Sequence, residues 1–371
     1  MLLLCVPCGK IKDYYYLCSD TEPDKMTDIL KLTRSLRDQP LKDNLARLTE
    51  IAGSALKDTD YTELINEFAS YYTCWLSKEV YPSLIRIKLY PKEETAENNP
   101  AFEETRVVIF GDIHSDFNAL SSIFKKLALS SYDYFSKALF IFCGDYADRG
   151  QRPFQTLRLL YAIKSYMGDR CILLKGNHEI MRYSCSMLRP AFYPADTSDL
   201  MNRVLSPEVN NLYFNYLARL PYMVSLSHHD KKYLICHGSI PRHDYASVFN
   251  EEKFLEYLLP GSEHSKEGIL LNLMLWGDPG DNSSSFRGTE TRFEFSKPEF
   301  IEFMNKHGYD ILIRGHQPVD NGVMFCFNNR LISLFSTGGH KNPDSFYPDD
   351  VASPAFIIIN EDGEILFEKV F

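Results

Sequence analysis

No stretch of this 371-residue sequence approaches the roughly 18 consecutive apolar residues that a membrane-spanning helix requires, so it reads as a soluble protein. The opening Met1-Leu2-Leu3-Leu4-Cys5-Val6-Pro7 has no basic flank, and its apolar run stops at Pro7, unlike a secretory leader. Positive charge is in deficit: 40 Lys and Arg face 50 Asp and Glu, a formal charge of -10. Lys125-Lys126 and Lys231-Lys232 are the only basic doublets. A nucleic-acid partner gripped through its phosphates is excluded on that count. Cysteine is sparse and odd in number, nine residues scattered from Cys5 to Cys326. A disulfide scaffold is short and cysteine-dense, so these thiols read as reduced, in a compartment such as the cytoplasm. Cys5 and Cys8 form a lone CxxC, without the second pair of a structural zinc site or the strand-turn-helix setting of a redox site. Internal repeats and long low-complexity tracts are absent. Hydrophobic residues at 44% and charged residues at 24% exclude fibrous, disordered and coiled-coil classes for the whole chain.

What is present changes character near residue 100. Residues 1–100 read as a helical extension ending in a linker. Leu41, Leu45, Leu48 and Ala52 form one apolar stripe, and Leu64, Phe68, Tyr71, Tyr72 and Trp75 form another. Stripes of this kind are packing surfaces. Pro91 to Pro100 is polar and linker-like. Residues 101–371 then alternate short apolar runs with helical patterns. Arg106–Phe110, Ala138–Cys143 and Cys171–Leu174 read as strands, and 117–129 and 154–167 read as the helices between them. Strand-helix-strand order implies parallel pairing. Tyr233–Cys236, Ile311–Ile313, Leu331–Phe335, Ala355–Ile359 and Glu364–Val370 extend the strand count beyond one sheet.

Polar residues follow five of these runs. They are Gly111-Asp112-Ile113-His114, Gly144-Asp145-Tyr146-Ala147-Asp148-Arg149-Gly150, Gly176-Asn177-His178-Glu179, His237-Gly238 and Arg314-Gly315-His316-Gln317. Ligands bind at the carboxyl ends of strands in open α/β sheets. Asp112, His114, Asp145, Asn177, His237 and His316 offer carboxylate, imidazole and amide donors, a set suited to Mn, Fe or Zn. Singly, an Asp after a strand is a turn or cap residue and a His is a hydrogen-bonding residue. Five such clusters in one chain exceed what turns alone explain.

These segments, in this order, together with Trp276-Gly277-Asp278-Pro279 and Arg287-Gly288, resemble the PPP family of metal-dependent phosphoprotein phosphatases, within the calcineurin-like metallophosphoesterases. The resemblance implies an α/β fold, a β-sandwich flanked by helices (α/β/β/α), over roughly residues 105–370. It implies two divalent cations, Asp112 and His114 on the first, Asp145 bridging, and Asn177, His237 and His316 on the second. It gives Arg149 and Arg287 the substrate phosphate and makes His178 the acid that protonates the leaving oxygen, with Asp148 holding its ring. A hydroxide activated by the two cations would attack phosphorus directly, so no cysteine nucleophile is expected. The implied substrate is a phosphoserine or phosphothreonine protein. Phosphotyrosine, dinucleoside polyphosphates and an inactive phosphoprotein-binding scaffold stand as alternatives.

Some positions depart from the family. Ser115 and Ser239 stand where Gly is usual, and Lys175 where Arg is usual. Phe335-Ser336-Thr337-Gly338-Gly339-His340 replaces the SAPNYC loop of eukaryotic members and suggests an altered substrate rim. With the N-terminal extension, a candidate surface for a protein partner, these departures suggest a divergent member. Delivery into a host cytoplasm as an effector is a setting that rests on analogy.

Overall fold

A computed structural model describes residues 28–36, 40–55, 61–77, 82–89, 105–192, 195–255, 264–280, 291–347 and 349–371. Met1–Pro7, the Cys5/Cys8 pair, the Pro91–Pro100 linker and Arg287-Gly288 lie outside the described residues.

The strands form two large sheets, beside the two-stranded pairs β5 (Met181–Ser184) with β6 (Met187–Pro190) and β9 (Gly277–Pro279) with β10 (Phe293–Phe295). One has strand order β15-β14-β2-β3-β4, with β2 (Val107–Phe110), β3 (Leu139–Phe142) and β4 (Cys171–Leu173) parallel. Helices α4 (Phe117–Leu129) and α5 (Pro153–Met167) separate these strands in the chain, as the sequence pattern predicts. β14 (Ala355–Ile359) and β15 (Ile365–Lys369) add on antiparallel. The other sheet has the order β1-β7-β8-β11-β13-β12. Its centre is the parallel set β8 (Lys231–Cys236), β11 (Ile311–Arg314) and β13 (Leu331–Leu334). β7 (Met223–His228) and β12 (Val323–Cys326) flank that set antiparallel, and β1 (Leu84–Leu89) pairs parallel with β7.

Strand alternation assigns the layers. Val107, Ile109 and Ile141 point between the sheets, where they meet Val224, Ile235, Ile313 and Ile332. Val108, Phe110, Phe140 and Phe142 point outward onto α4 and α5. Leu234, Cys236, Leu312 and Leu331 point the other way, onto α8 (Lys266–Met274) and α9 (Lys297–His307). The result is a mixed α/β sandwich with helices on both faces. Each fully buried Val, Ile or Phe contributes about 1.5–3 kcal/mol.

The N-terminal helices α1 (Asp28–Ser35), α2 (Leu41–Gly53) and α3 (Tyr61–Leu76) pack against other helices of the same hydrophobic cluster, among them α4 and α5. Both predicted stripes are buried there. Trp75 packs at 5.0 Å from Tyr161 of α5 and 4.9 Å from Tyr216 of α7 (Pro207–Ala218), centroid to centroid. Glu67 breaks the apolar stripe. It is fully buried, and Arg158 Nε donates to its Oε2 at 3.0 Å.

The structure corrects two expectations. The first hundred residues are not helical throughout: Leu84-Ile85-Arg86-Ile87-Lys88-Leu89 forms β1, the edge strand of a sheet. It is short and follows a long helical pattern, which hid its alternation. The thiols are not all reduced either. Cys143, Cys171, Cys185, Cys236 and Cys326 are free, whereas Cys74 is disulfide-bonded. Nothing in the sequence around Cys74 marks it for pairing. Among the described residues, no helix is long and apolar enough to cross a membrane.

Candidate active site

Both sheets contribute to the site. Asp112, Asp145 and Asn177 follow β2, β3 and β4, while His237 and His316 follow β8 and β11. At this edge a bridge between Asp112 and Phe335 links the two halves of the sandwich. The connecting backbone is unusual. His114, Asp145, Asp148, Arg149 and His316 have φ of 45°, 55°, 66°, 67° and 73°. A left-handed non-glycine residue of this kind costs about 1–3 kcal/mol and persists only where its surroundings hold it. Two glycines allow the carboxylates to come close. A Cβ on Gly176 would lie 2.2 Å from Asp145 Oδ1, and one on Gly315 would lie 2.3 Å from Asp112 Oδ1.

Two groups of donor atoms converge on Asp145. In the first, His114 Nε2 lies 3.5 Å from Asp112 Oδ2 and 3.5 Å from Asp145 Oδ2. The Ala147 carbonyl accepts from His114 Nδ1 at 3.2 Å, so Nε2 presents a lone pair to two carboxylates. In the second, the Cys143 carbonyl accepts from His237 Nδ1 at 2.9 Å, which leaves a lone pair on Nε2. That lone pair faces Asn177 Oδ1 at 2.7 Å, His316 Nδ1 at 3.2 Å and Asp145 Oδ2 at 3.5 Å. Acceptors so close repel one another unless a cation lies between them. Donors bonded to one metal at about 2.1 Å are about 3.0–3.4 Å apart in octahedral or tetrahedral geometry. Asp112 Oδ2 and His114 Nε2 are buried without a hydrogen-bond partner. The residues therefore fit two cations that share Asp145, with backbone carbonyls orienting two of the imidazoles.

The local electrostatics agree. Burial, with the charges of Asp112 and Glu179 beside it, raises Asp145 well above the usual carboxylate range. Burial pushes His237 down to about 4 and His316 well below its usual value, so both imidazoles are neutral, the form that can bind a cation.

His178 Nδ1 lies 2.8 Å from Asp148 Oδ2, and its Nε2 has no hydrogen-bond partner. Burial works against both charges, raising Asp148 and lowering His178. Thr197 fixes Asp148 by two bonds, its N–H donating to Oδ1 at 2.9 Å and its hydroxyl accepting the Asp148 N–H at 2.8 Å. Phe192 stands edge-on to His178 at 4.6 Å and to Trp276 at 4.7 Å, making an aromatic wall beside the acid candidate. Arg149 is near enough for its charge to bear on Asp145, Asp148, His178 and His316. Of the ten candidates from the sequence, nine meet here, and Arg287 lies outside the described residues. His340 is elsewhere: its side chain is 70% exposed and pairs with Asp349.

Several supporting residues carried no role in the sequence reading. Glu179 accepts the backbone N–H groups of Asp145 and Gly176 on Oε2 and of Tyr146 on Oε1, at 2.8, 2.8 and 3.1 Å. It thereby binds two ligand loops together. Buried Arg314 donates to Asp278 Oδ1 at 3.1 Å, joining two of the sequence motifs. Tyr347 accepts a hydrogen bond from Arg149 Nη1. Glu179, Arg314 and Asp278 all sit inside motifs, so their neighbours mark them. Tyr347 has no such mark.

Residues 105–320, more than half of the chain, match the family described as Metallophos, calcineurin-like phosphoesterase. Among solved structures, one is titled a protein serine/threonine phosphatase from Saccharomyces cerevisiae with similarity to human phosphatase PP5. It is 17% identical, covers 89% of this chain and 95% of its own, and superposes with a TM-score of 0.60. A cold-active protein-tyrosine phosphatase from a psychrophile, Shewanella sp., is 16% identical, with 78% and 83% coverage and a TM-score of 0.47. A putative diadenosine tetraphosphatase is 13% identical, with 78% and 98% coverage and a TM-score of 0.38.

Proposed function

This chain belongs to the calcineurin-like phosphoesterase family, and on that premise we propose that it is a phosphoprotein phosphatase hydrolysing phosphoserine and phosphothreonine. The observation that carries the proposal is the meeting of six metal-type donors with the His178–Asp148 pair and Arg149 at one edge of the sandwich. Asp112, His114 and Asp145 would hold one divalent cation, and Asp145, Asn177, His237 and His316 a second. Manganese is the proposed metal for assay, with iron and zinc suited to the same donors. When bound, such cations polarise a phosphoryl oxygen and lower the pKa of coordinated water.

The protein's own groups do the rest. Arg149, and Arg287 by its place in the sequence, grip the phosphoryl oxygens, where a planar guanidinium can bind two at once. His178 presents Nε2 toward the leaving oxygen. The negative phosphate beside it favours the protonated ring, against the burial that otherwise keeps it neutral. Asp148 holds Nδ1–H, so the proton delivered to the leaving serine or threonine oxygen comes from Nε2. In a cytoplasmic setting the partner is a phosphorylated protein.

One observation favours a second reading. Phe192 lies edge-on to His178 and Trp276 edge-on to Phe192, an aromatic surface beside the proposed acid on which a phenolic leaving group would stack. A panel of phosphoserine, phosphothreonine and phosphotyrosine peptides with a dinucleoside polyphosphate, assayed with added Mn and again after chelation, decides between them. Chelator-sensitive hydrolysis fastest on phosphoserine or phosphothreonine is expected. Faster turnover of the phosphotyrosine peptide supports the second reading, and faster turnover of the polyphosphate overturns both.

A further inference from the structure

The loop from Ser336 to Tyr347 replaces a familiar sequence with one of its own, and buried polar groups fix its course. Asp116, at the start of α4, accepts on Oδ2 from the Thr337 hydroxyl at 2.7 Å, Asn342 Nδ2 at 2.8 Å and the Gly338 N–H at 3.3 Å. Its Oδ1 meanwhile caps the helix through the Ala119 N–H at 2.9 Å. A second attachment lies next to Arg149: the Asp344 carbonyl accepts the Gln151 N–H at 3.0 Å. Arg152 Nη1 lies 3.6 Å from the Asp344 carboxylate. The loop is therefore stitched both to α4 and to the segment carrying Arg149.

At its end Tyr347 is 5% exposed. Its ring sits edge-on to Phe335 at 5.2 Å and tilted against His114 at 5.7 Å. Its N–H donates to Ser345 Oγ at 3.0 Å. The phenol oxygen is thus held in place, and Arg149 Nη1 donates to it. The guanidinium carbon lies 5.7 Å from the ring centroid, while the Arg149 backbone N–H is taken by Asp196 Oδ1 at 3.2 Å. Both ends of Arg149 are anchored.

The chemistry of the anchor matters. A carboxylate would hold the guanidinium more strongly but would cancel its charge, and an incoming phosphate would have to displace it. A phenol holds through one hydrogen bond to an uncharged oxygen and leaves the positive charge and the remaining N–H donors free for phosphate. We propose that Tyr347 is a positioning residue for phosphate recognition, fixing Arg149 over the site through its hydroxyl. This deepens the phosphatase reading above and rests on it.

The test uses the full-length, Mn-loaded protein, with inorganic phosphate as the probe in calorimetric titrations and a phosphopeptide for KM and kcat. Tyr347→Phe keeps the ring and removes the oxygen. It is expected to weaken phosphate binding about tenfold, the scale of a hydrogen bond to a charged group, and to raise KM more than it lowers kcat. In an Arg149→Ala background the same change is expected to add nothing. Tyr347→His, which restores an acceptor on a ring, is expected to fall between wild type and Tyr347→Phe, and supplies a second variant if Tyr347→Phe folds poorly. Phosphate affinity within twofold of wild type in Tyr347→Phe, or an equal loss with and without Arg149, overturns the proposal. Wild-type protein that binds Mn and phosphate but hydrolyses no phosphopeptide defeats the phosphatase reading instead, and the Tyr347–Arg149 coupling is still scored from phosphate binding.

Discussion

His178 carries the sharpest consequence at the scale of single residues. Its Nδ1 is 2.8 Å from Asp148, and in the proposed mechanism its Nε2 is the acid. His178→Ala is expected to lower kcat by about 10²–10⁴-fold, the usual range for losing a general acid. Mn affinity should stay within a few-fold, because the six proposed donors are intact. Parallel turnover and Mn titrations check this, and wild-type turnover in the variant removes His178 from the acid role. The positions of His178, Asp148 and the six donors were legible because each sits in a glycine-flanked motif just past an apolar run. Tyr347 was not legible: its partner Arg149 is 198 residues away in sequence, and only folding shows that one loop ends against the other.

Elements show the same division. α2 and α3 were legible because their apolar positions recur at helical spacing and all nine stripe residues are buried. β1 was not, because six residues beside a longer helical pattern leave little periodicity to read. Glu67 was not either: a glutamate at the edge of an apolar stripe reads as solvated, yet it meets Arg158 of α5 inside the core. Burial raises its pKa from 4.5 to about 7, against the pull of Arg158, with Glu63 adding slightly. Below pH 4.5 both folded and unfolded chains carry this proton, between 4.5 and about 7 only the folded chain does, and above that neither does. The contribution is therefore fully present at low pH and is lost as pH rises through about 7. Urea midpoints at pH 5 and pH 8 are expected to fall more for wild type than for Glu67→Gln, by on the order of 2 kcal/mol. Parallel pH dependence in the two proteins would show that Glu67 titrates normally.

At the scale of the whole molecule, the described elements among the first hundred residues are structural parts of the fold. α1–α3 pack on the helices α4, α5 and α7, and β1 completes the edge beside β7. Residues 101–371 are 271 of 371, about 73%, so the yeast phosphatase match, which covers 89%, also reaches into the N-terminal portion. A fragment starting at residue 101 is expected to bind a hydrophobic dye strongly and to lack a cooperative melt. A sharp melt at the full-length temperature would instead make residues 1–100 a separable extension. The sandwich itself was legible from the number of apolar runs and the order of the motifs. The docking of the N-terminal helices was not, because a stripe announces that a face is buried without saying against what. The charge of -10 gains a local meaning as well: in the proposed mechanism, cations on the donor cluster and an uncancelled arginine would supply the positive charge that the chain as a whole lacks.

The bridge between Asp112 and Phe335 closes 223 residues of chain, 335 minus 112, and the candidate metal donors run from Asp112 to His316. On a ribosome these groups emerge far apart in time. A nascent chain holds Asp112, His114 and Asp145 long before it holds His237 or His316, and before β13 exists to join the halves. The complete donor set exists only once residues 112–316 have all been made and folded together. Cations held by the proposed donors would therefore stabilise only the arrangement in which both halves of the sandwich have come together.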